Sequence, residues 1–492
     1  MGKCQYFGTD GVRGCVGKHP MVPEFVLRLG YGAGKVLSGD SKTHPTFLIG
    51  RDTRKSGEML QSALTAGLLA SGSTVIDLGV ITTPGVAFMV NKLNADAGVV
   101  ISASHNPVDE NGIKFFNRQG MKLNEEIELA IEAWIDSDLS LEGMQASDFG
   151  GSIDGTDMRE LYVDDLVNEH NGLRLDGLTL ILDCANGAAS WYAPEVFSRL
   201  GASIVAVNAS PTGTNINHKA GSEHVRSHPQ TMAALISQYD AQFGVVFDGD
   251  ADRVIFVDER GDLVDGDHML AILADDLQQK GKLAGSMVVS TEMANGALTG
   301  YCAAHGIQFK ATPVGDKYIM EELVKLCALE CEQGKFGLGG EQSGHIILMD
   351  TTHKTGDGIR SALYMIQVYL ESGSGSLAGM AERIHKYPQL VASAYVSNKP
   401  DLEKMLDLKQ TVLEMIGALP GMTRKSLRYS GTEPKFRVML EADTRHSEQE
   451  LAEYAWKICR IVQKASETPE GAVVEVLNVT RGGLMPDLRT EK

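Results

Sequence analysis

Apolar and polar positions along this chain repeat in the order strand, turn, helix, strand. Phe47-Leu48-Ile49-Gly50 meets the polar turn Arg51-Asp52-Thr53-Arg54. A helical stretch runs from about Glu58 to Ala70, and a second apolar run, Thr74–Leu78, leads to Thr82-Thr83-Pro84-Gly85. Leu180-Ile181-Leu182 opens the same order, with the turn Asp183–Gly187, a helix to Leu200, Ser203–Val207 and Ser210-Pro211-Thr212-Gly213. Met287–Ser290 opens it again, with the turn Thr291–Gly296, a helix to His305, Ile307–Lys310 and Thr312-Pro313-Val314-Gly315. Strands joined through a helix pair in parallel, so the pattern predicts an α/β class.

Each unit is followed by a further apolar run that ends in a polar loop. Ala97–Ile101 precedes Ser102-Ala103-Ser104-His105-Asn106-Pro107, Phe243–Phe247 precedes Asp248-Gly249-Asp250-Ala251-Asp252-Arg253, and Phe336–Leu338 precedes Glu341-Gln342-Ser343-Gly344-His345. The chain then turns apolar again at Gly112–Phe116, Val254–Val257 and Ile346–Met349. We read three similar α/β modules with mixed sheets. The loop falls at the same strand end in each, where α/β sheets hold their ligands.

The remainder lacks the module pattern. Apolar Tyr395–Ser397, a helix around Leu402–Ile416, the run Arg428–Leu440 and a helix around Glu448–Lys464 predict a smaller C-terminal α+β domain. Polar stretches at Asp136–Asp157, Asp258–Asp267 and Glu371–Ser376 set expected domains at 1–150, 151–258, 259–375 and 376–492.

Composition narrows the function. A chain of 492 residues exceeds a single core, and its 43% hydrophobic and 22% charged residues are ordinary for a soluble globular protein. A net charge of −19 opposes bulk attraction to nucleic acid or anionic membranes, so an anionic ligand needs local Arg and Lys. The cysteines (Cys4, Cys15, Cys184, Cys302, Cys327, Cys331 and Cys459) are odd in number and lack CxxC pairing, which predicts reduced thiols. Met1–Tyr6 has no apolar signal core and no apolar run reaches membrane-spanning length, predicting a cytoplasmic protein.

The loops hold complementary chemistry. Ser104 offers a hydroxyl nucleophile, although Ser-His-Asn-Pro read alone is a turn or helix cap. Asp248, Asp250 and Asp252 alternate with small residues; an extended loop would aim all three one way, a set suited to a hard cation such as Mg2+. Arg253 then faces phosphate from the same loop. Asp262, Asp265 and Asp267 are looser and precede a helical run, so helix capping is expected there. Glu341, Ser343 and His345 can hydrogen-bond sugar hydroxyls, while a lone His is more often a satisfied structural group. Arg428-Tyr429-Ser430-Gly431-Thr432 with Arg437 reads equally as a phosphate nest or a polar β-turn. Arg13, in the Gly-rich turn Phe7–Gly14, suits a phosphate beside Ser104. Lys114 is the nearest candidate general acid/base, or else a snorkelling surface lysine. Arg51–Arg54 reads as a turn and helix start.

These segments, in this order, resemble the α-D-phosphohexomutase superfamily over essentially the whole chain, and within it the phosphoglucosamine mutases. Phe7–Gly14, Ser102–Pro107, Asp248–Arg253, Glu341–His345, Lys354–Gly358 and Arg428–Arg437 carry the likeness. The resemblance implies four domains around a cleft and an enzyme that interconverts a hexosamine 6-phosphate and 1-phosphate through a phosphoserine at Ser104. It implies one Mg2+ held by Asp248, Asp250, Asp252 and the Ser104 group, with Arg13, Lys114, Arg253 and His345 as catalytic residues. Substrate binding would fall to Glu341, Ser343, Arg428, Ser430, Gly431, Thr432 and Arg437. Glucosamine or glucose 1,6-bisphosphate would be the phosphorylating activator. A phosphosugar is the expected partner, with no nucleic acid and no membrane, and a homodimer stays open. Phosphomannomutase or phosphoglucomutase activity, a Mg2+-dependent sugar phosphatase and a non-catalytic sensor are the alternatives. Ala251 departs from the Gly of many relatives, a change that ordinary backbone angles would absorb.

Overall fold

The computed structural model describes residues 4–38, 44–137, 141, 143–430 and 434–486. Four sheets follow one another along the chain. The first contains β1 (Val12–Cys15), β2 (Thr46–Arg51), β3 (Thr74–Val80), β4 (Ala97–Ile101), β5 (Glu110–Phe116) and β6 (Ser152–Asp154), in the spatial order β1-β5-β4-β2-β3-β6. The second contains β7 (Thr179–Asp183), β8 (Ser203–Val207), β9 (Phe243–Phe247), β10 (Val254–Val257) and β11 (Leu263–Val264), ordered β11-β10-β9-β7-β8. The third contains β12 (Leu283–Thr291), β13 (Gln308–Thr312), β14 (Phe336–Gly340) and β15 (Ile346–Met349), ordered β13-β12-β14-β15.

The repeat read in the sequence is a repeat of topology. In each sheet one strand (β2, β7, β12) pairs in parallel with the strand after its helix on one side and with the loop-bearing strand on the other. The loop-bearing strand then turns back into an antiparallel partner, β4 with β5, β9 with β10, and β14 with β15. Each chemical loop is therefore the tip of an equivalent hairpin. The crossover helices are Ser56–Ala70, Ala189–Arg199 and Gly296–Ala304. β6 and β11 each complete the sheet of the module before them, lying just beyond the boundaries expected at 150 and 258.

The fourth sheet is antiparallel, with β16 (Gln389–Tyr395), β17 (Met422–Tyr429), β18 (Lys435–Ala442) and β19 (Val474–Asn478) ordered β17-β18-β16-β19. Its first strand ends at Tyr395, where the sequence reading began one. The expected run Arg428–Leu440 is a hairpin of two strands. Helix Glu448–Ala465 packs its apolar stripe (Leu451, Ala455, Ile458, Val462) on this sheet, giving the domain its own core. One continuous core instead joins the first three modules, from Phe88 and Leu180 to Phe243 and Ile359. Polar contacts attach the fourth domain. Gln342 Nε2 donates to Gln389 Oε1 (2.8 Å), Gly296 N to Glu441 Oε2 (2.9 Å), and Lys386 Nζ pairs with Asp265 (2.5 Å). As expected, Asp265 caps helix Gly266–Gln279.

Cys327 and Cys331 stand one helical turn apart with their sulfurs side by side, both against Met349 O. The other five cysteines are free thiols. Among the described residues no helix is long and apolar enough to cross a membrane.

Candidate active site

The first two hairpin tips meet at Ser104. Its Oγ donates to Asp248 Oδ2 at 2.6 Å and lies 3.3 Å from His105 Nδ1. Ser104 is fully buried and adopts φ 53°, a left-handed conformation that costs a non-glycine residue about 1 kcal/mol. Such strain collects where the surrounding structure dictates a side chain's direction.

The three aspartates converge, but not by strand alternation. Ala251 N reaches back to Asp248 O (3.3 Å) and Ala251 has φ 57°, so the loop is a tight turn. The expectation of ordinary angles at Ala251 is thus corrected: the methyl group sits where glycine is the easier residue. Each carboxylate divides its oxygens. Asp250 Oδ2 accepts from Thr83 Oγ1 (2.6 Å) and Lys114 Nζ (2.8 Å), and Asp252 Oδ2 faces Lys114 Nζ (3.4 Å) and His345 Nδ1 (3.7 Å). Asp248 Oδ1 accepts from Arg253 N at 3.3 Å. The outer atoms, Asp250 Oδ1 and Asp252 Oδ1, are buried without a hydrogen-bond partner. One oxygen from each aspartate can be chosen so that all lie within 4.8 Å of one another. Three buried carboxylates this close, two of them with an oxygen lacking a hydrogen-bond partner, fit a hard cation that takes oxygen ligands. Ser104 Oγ, expected as a further ligand, shares the Asp248 carboxylate.

The surrounding charges follow from burial and proximity. Burial and repulsion from Asp252 and Asp250 push Asp248 well above the usual carboxylate range, despite Arg253 and the Ser104 hydroxyl. Asp252 is equally buried, yet Lys114 and His345 hold it well below that range. Burial works against the Lys114 ammonium, but Asp10, Asp250 and Asp252 outweigh it and keep the proton on. Lys114 is therefore no snorkelling surface lysine. Burial and then Arg253, whose Nη1 lies 3.0 Å from His105 Nδ1, push His105 down to about 3, so the imidazole is neutral. Arg13 and Arg253 each have a buried Nε without a hydrogen-bond partner, and both are electrostatic neighbours of the aspartates.

His345, whose carbonyl accepts from Glu341 N (2.9 Å), turns its ring to the second loop. Gly344 N closes a turn onto Glu341 O (2.9 Å), and His345 Nε2 lies 3.4 Å from Asp316 Oδ2. Ser343 Oγ is buried without a hydrogen-bond partner. Glu341 is the common electrostatic neighbour of Arg253, His345 and Arg428, linking the aspartate loop to the fourth domain. Arg428 and Arg437 stand directly opposite on β17 and β18, a like-charge pair that an anion would relieve. Burial and Arg437 lower the Arg428 pKa. Lys399 Nζ donates to the Ser430 carbonyl at 2.6 Å. Tyr429 donates to Pro400 O (2.8 Å) and packs on Phe436, which gives it a structural role. Gly431 and Thr432, expected in this site, lie outside the described residues.

Three contributors escaped the sequence reading. Asp10 binds Lys114 (3.2 Å), Arg13 and Lys122, and Lys122 continues to Asp316 (2.5 Å). Asp10 lies three residues before Arg13 in the same Gly-rich turn, the one available signal. Thr83 reaches Asp250 because Thr82 caps helix Thr83–Lys92, a start that Thr82-Thr83-Pro84-Gly85 spells out. Arg54 reaches the carbonyls of the Ser104 loop.

Comparison with known proteins follows the same division of the chain. The Phosphoglucomutase/phosphomannomutase models match in order: alpha/beta/alpha domain I at residues 4–142, domain II at 160–261, domain III at 265–387 and the C-terminal domain at 366–457. A phosphoglucosamine mutase of Methylobacillus flagellatus is 43% identical over 466 residues, covering 94% of this chain and 98% of that protein. One of Halalkalibacterium halodurans is 44% identical over 447 residues, covering 90% and 95%. An Aspergillus fumigatus N-acetylphosphoglucosamine mutase, solved with GlcNAc-6P and magnesium, shares the fold at TM-score 0.64 and 18% identity over 94% of this chain and 96% of that one. With four domain models matched in sequence order and full-length relatives above 40% identity, this chain belongs to the phosphoglucomutase/phosphomannomutase family.

Proposed function

We propose that this enzyme interconverts glucosamine 6-phosphate and glucosamine 1-phosphate, using Ser104 as the phosphoryl carrier. The observation that carries the reading is the single cluster of a buried, strained Ser104 hydroxyl, three convergent carboxylates and two arginines whose buried Nε–H groups make no hydrogen bond. The names of the relatives supply the amino sugar.

Phosphorylated Ser104 transfers its phosphoryl group to the sugar O1, giving a 1,6-bisphosphate. The bisphosphate turns over in the cleft, and Ser104 takes the phosphoryl group from O6. Arg13 and Arg253 donate to the phosphoryl oxygens, so transfer is mainly positioning and electrostatics. Lys114 is the proton-bearing group beside the reacting oxygens. Asp248, Asp250 and Asp252 would hold one Mg2+, which when bound neutralises phosphoryl charge. Glu341 and Ser343 meet sugar hydroxyls, while Arg428, Ser430 and Arg437 hold the phosphate that is not reacting. A hexose 1,6-bisphosphate primes Ser104. We assign these tasks to 1–150 (phosphoserine), 151–258 (cation), 259–375 (sugar) and 376–492 (phosphate).

Turnover of glucosamine, glucose and mannose 6-phosphates by the purified protein tests the reading, alongside intact mass. It expects glucosamine 6-phosphate to give the highest kcat/KM and the protein to carry one phosphate on Ser104. Preference for mannose or glucose phosphate would move the substrate. Free phosphate as the main product would replace the mutase with a phosphatase.

A further inference from the structure

Both backbone groups of Ser104 are held by side chains with no part in the chemistry above. Its N–H donates to Ser102 Oγ (2.9 Å), which donates to Asp52 Oδ2 (2.7 Å). Its carbonyl accepts from Arg54 Nη2 (3.0 Å) and from Asn217 Nδ2 (2.8 Å). The Arg54 fork spans the rest of the loop, donating to Asn106 O (2.7 Å), Glu110 O (3.0 Å) and Pro107 O, while its Nε donates to Asp52 Oδ2 at 2.9 Å. Asn217 gives a second bond to Asn106 O at 3.0 Å. Arg54, Asp52 and Ser102 are fully buried. Asn217 belongs to the second module, which also presses Gly249 against the loop: a Cβ there would stand 2.5 Å from Ser104 O.

We propose that Arg54 and Asn217 are positioning residues that lock Ser104 in its left-handed conformation, so that its oxygen keeps one direction while it gives up and regains a phosphoryl group. The inference rests on Ser104 being the phosphoryl carrier. Left-handed φ is unfavourable for serine, so an unheld loop relaxes to the commoner regions and swings the Cα–Cβ bond with it. In-line transfer is sensitive to misplacement on the ångström scale. A planar guanidinium reaches several carbonyls at once, which an ammonium on a flexible stem cannot do. The lock closes only when the first two modules are packed together, so the nucleophile acquires its direction where the aspartate cage is present.

The test uses the full chain as wild type, Asn217→Ala and Arg54→Lys. It measures kcat and KM for glucosamine 6-phosphate, and the rate at which isolated phosphoenzyme loses its phosphate by intact mass. For Asn217→Ala we expect kcat to fall roughly 10- to 100-fold with KM within about twofold, and faster hydrolysis of the phosphoserine. Arg54→Lys should show the larger effect of the same kind. If it fails to fold, Asn217→Ala, which removes only a half-buried amide, decides alone. Unchanged kcat in Asn217→Ala, or a KM that rises as far as kcat falls, overturns the proposal. A wild type without mutase turnover would sink the carrier assignment and the lock together, whereas an active wild type with an unimpaired Asn217→Ala sinks only the lock.

Discussion

The Ser104 hydroxyl donates to the Asp248 carboxylate at 2.6 Å, across 144 positions of sequence. Burial and repulsion from Asp252 and Asp250 push Asp248 well above the usual carboxylate range, so the hydroxyl hydrogen relieves a stressed acceptor. The bond joins the proposed phosphoryl carrier to the aspartates proposed to hold the cation, and the first two predictions below test that pairing.

Ser104→Ala should abolish mutase turnover by roughly 10^3-fold or more, because no other group in the cluster replaces the nucleophile. The variant should also lack the added phosphate seen by intact mass in the wild type. Substantial turnover by an unphosphorylated alanine variant would rule out the carrier mechanism.

Removal of divalent cations should stop turnover and leave the fold intact, since the first three modules share a continuous apolar core. Asp252→Asn should weaken Mg2+ binding by about 10-fold or more, read by calorimetry on the unphosphorylated protein. Mg2+ affinity equal to wild type in this variant would place the cation elsewhere.

Arg428→Ala removes one of two facing cations from the fourth sheet. KM for the sugar phosphate should rise about 10-fold, with a smaller change in kcat, because the non-reacting phosphate is bound alike in ground and transition states. A fall in kcat at constant KM would move Arg428 into the transfer step.

Asp183 gives a pH dependence separate from the chemistry. Burial pushes its carboxyl up to about 6, although Ala185 N, Gly221 N and Asn208 Nδ2 donate to it. A folded pKa above the unfolded value favours the neutral form, so this contribution is full below about pH 4 and is lost as pH rises through 6. Two units correspond to about 3 kcal/mol. Thermal unfolding of wild type from pH 4 to 6 should lose most of that stability, and Asp183→Asn should flatten the slope. Parallel slopes in the two proteins would exclude Asp183 as the source.

Much of this architecture could be read in advance because its signals are local. Apolar runs such as Val99–Ile101 and Val254–Val257 are buried strands whichever neighbours they find, and the repeated order of run, turn and helix implies its own parallel pairing. Loop chemistry was equally local: hydroxyl, carboxylates and arginines could be assigned to a phosphoryl site from residue type and order. Contacts between modules decided the rest. That Lys114 is locked among Asp10, Asp250 and Asp252, that His345 leans on Asp252, and that Arg54 and Asn217 hold Ser104 from opposite modules depends on how three sheets pack. Left-handed turns at Ser104 and Ala251 lay equally out of reach, because neither residue type prefers them and only the packed surroundings impose them. Residue types and periodicity determined which groups this protein brings to its cleft; tertiary packing alone decided their directions, since hydrogen bonds and charge contacts act over a few ångströms between segments the chain separates by a hundred residues or more.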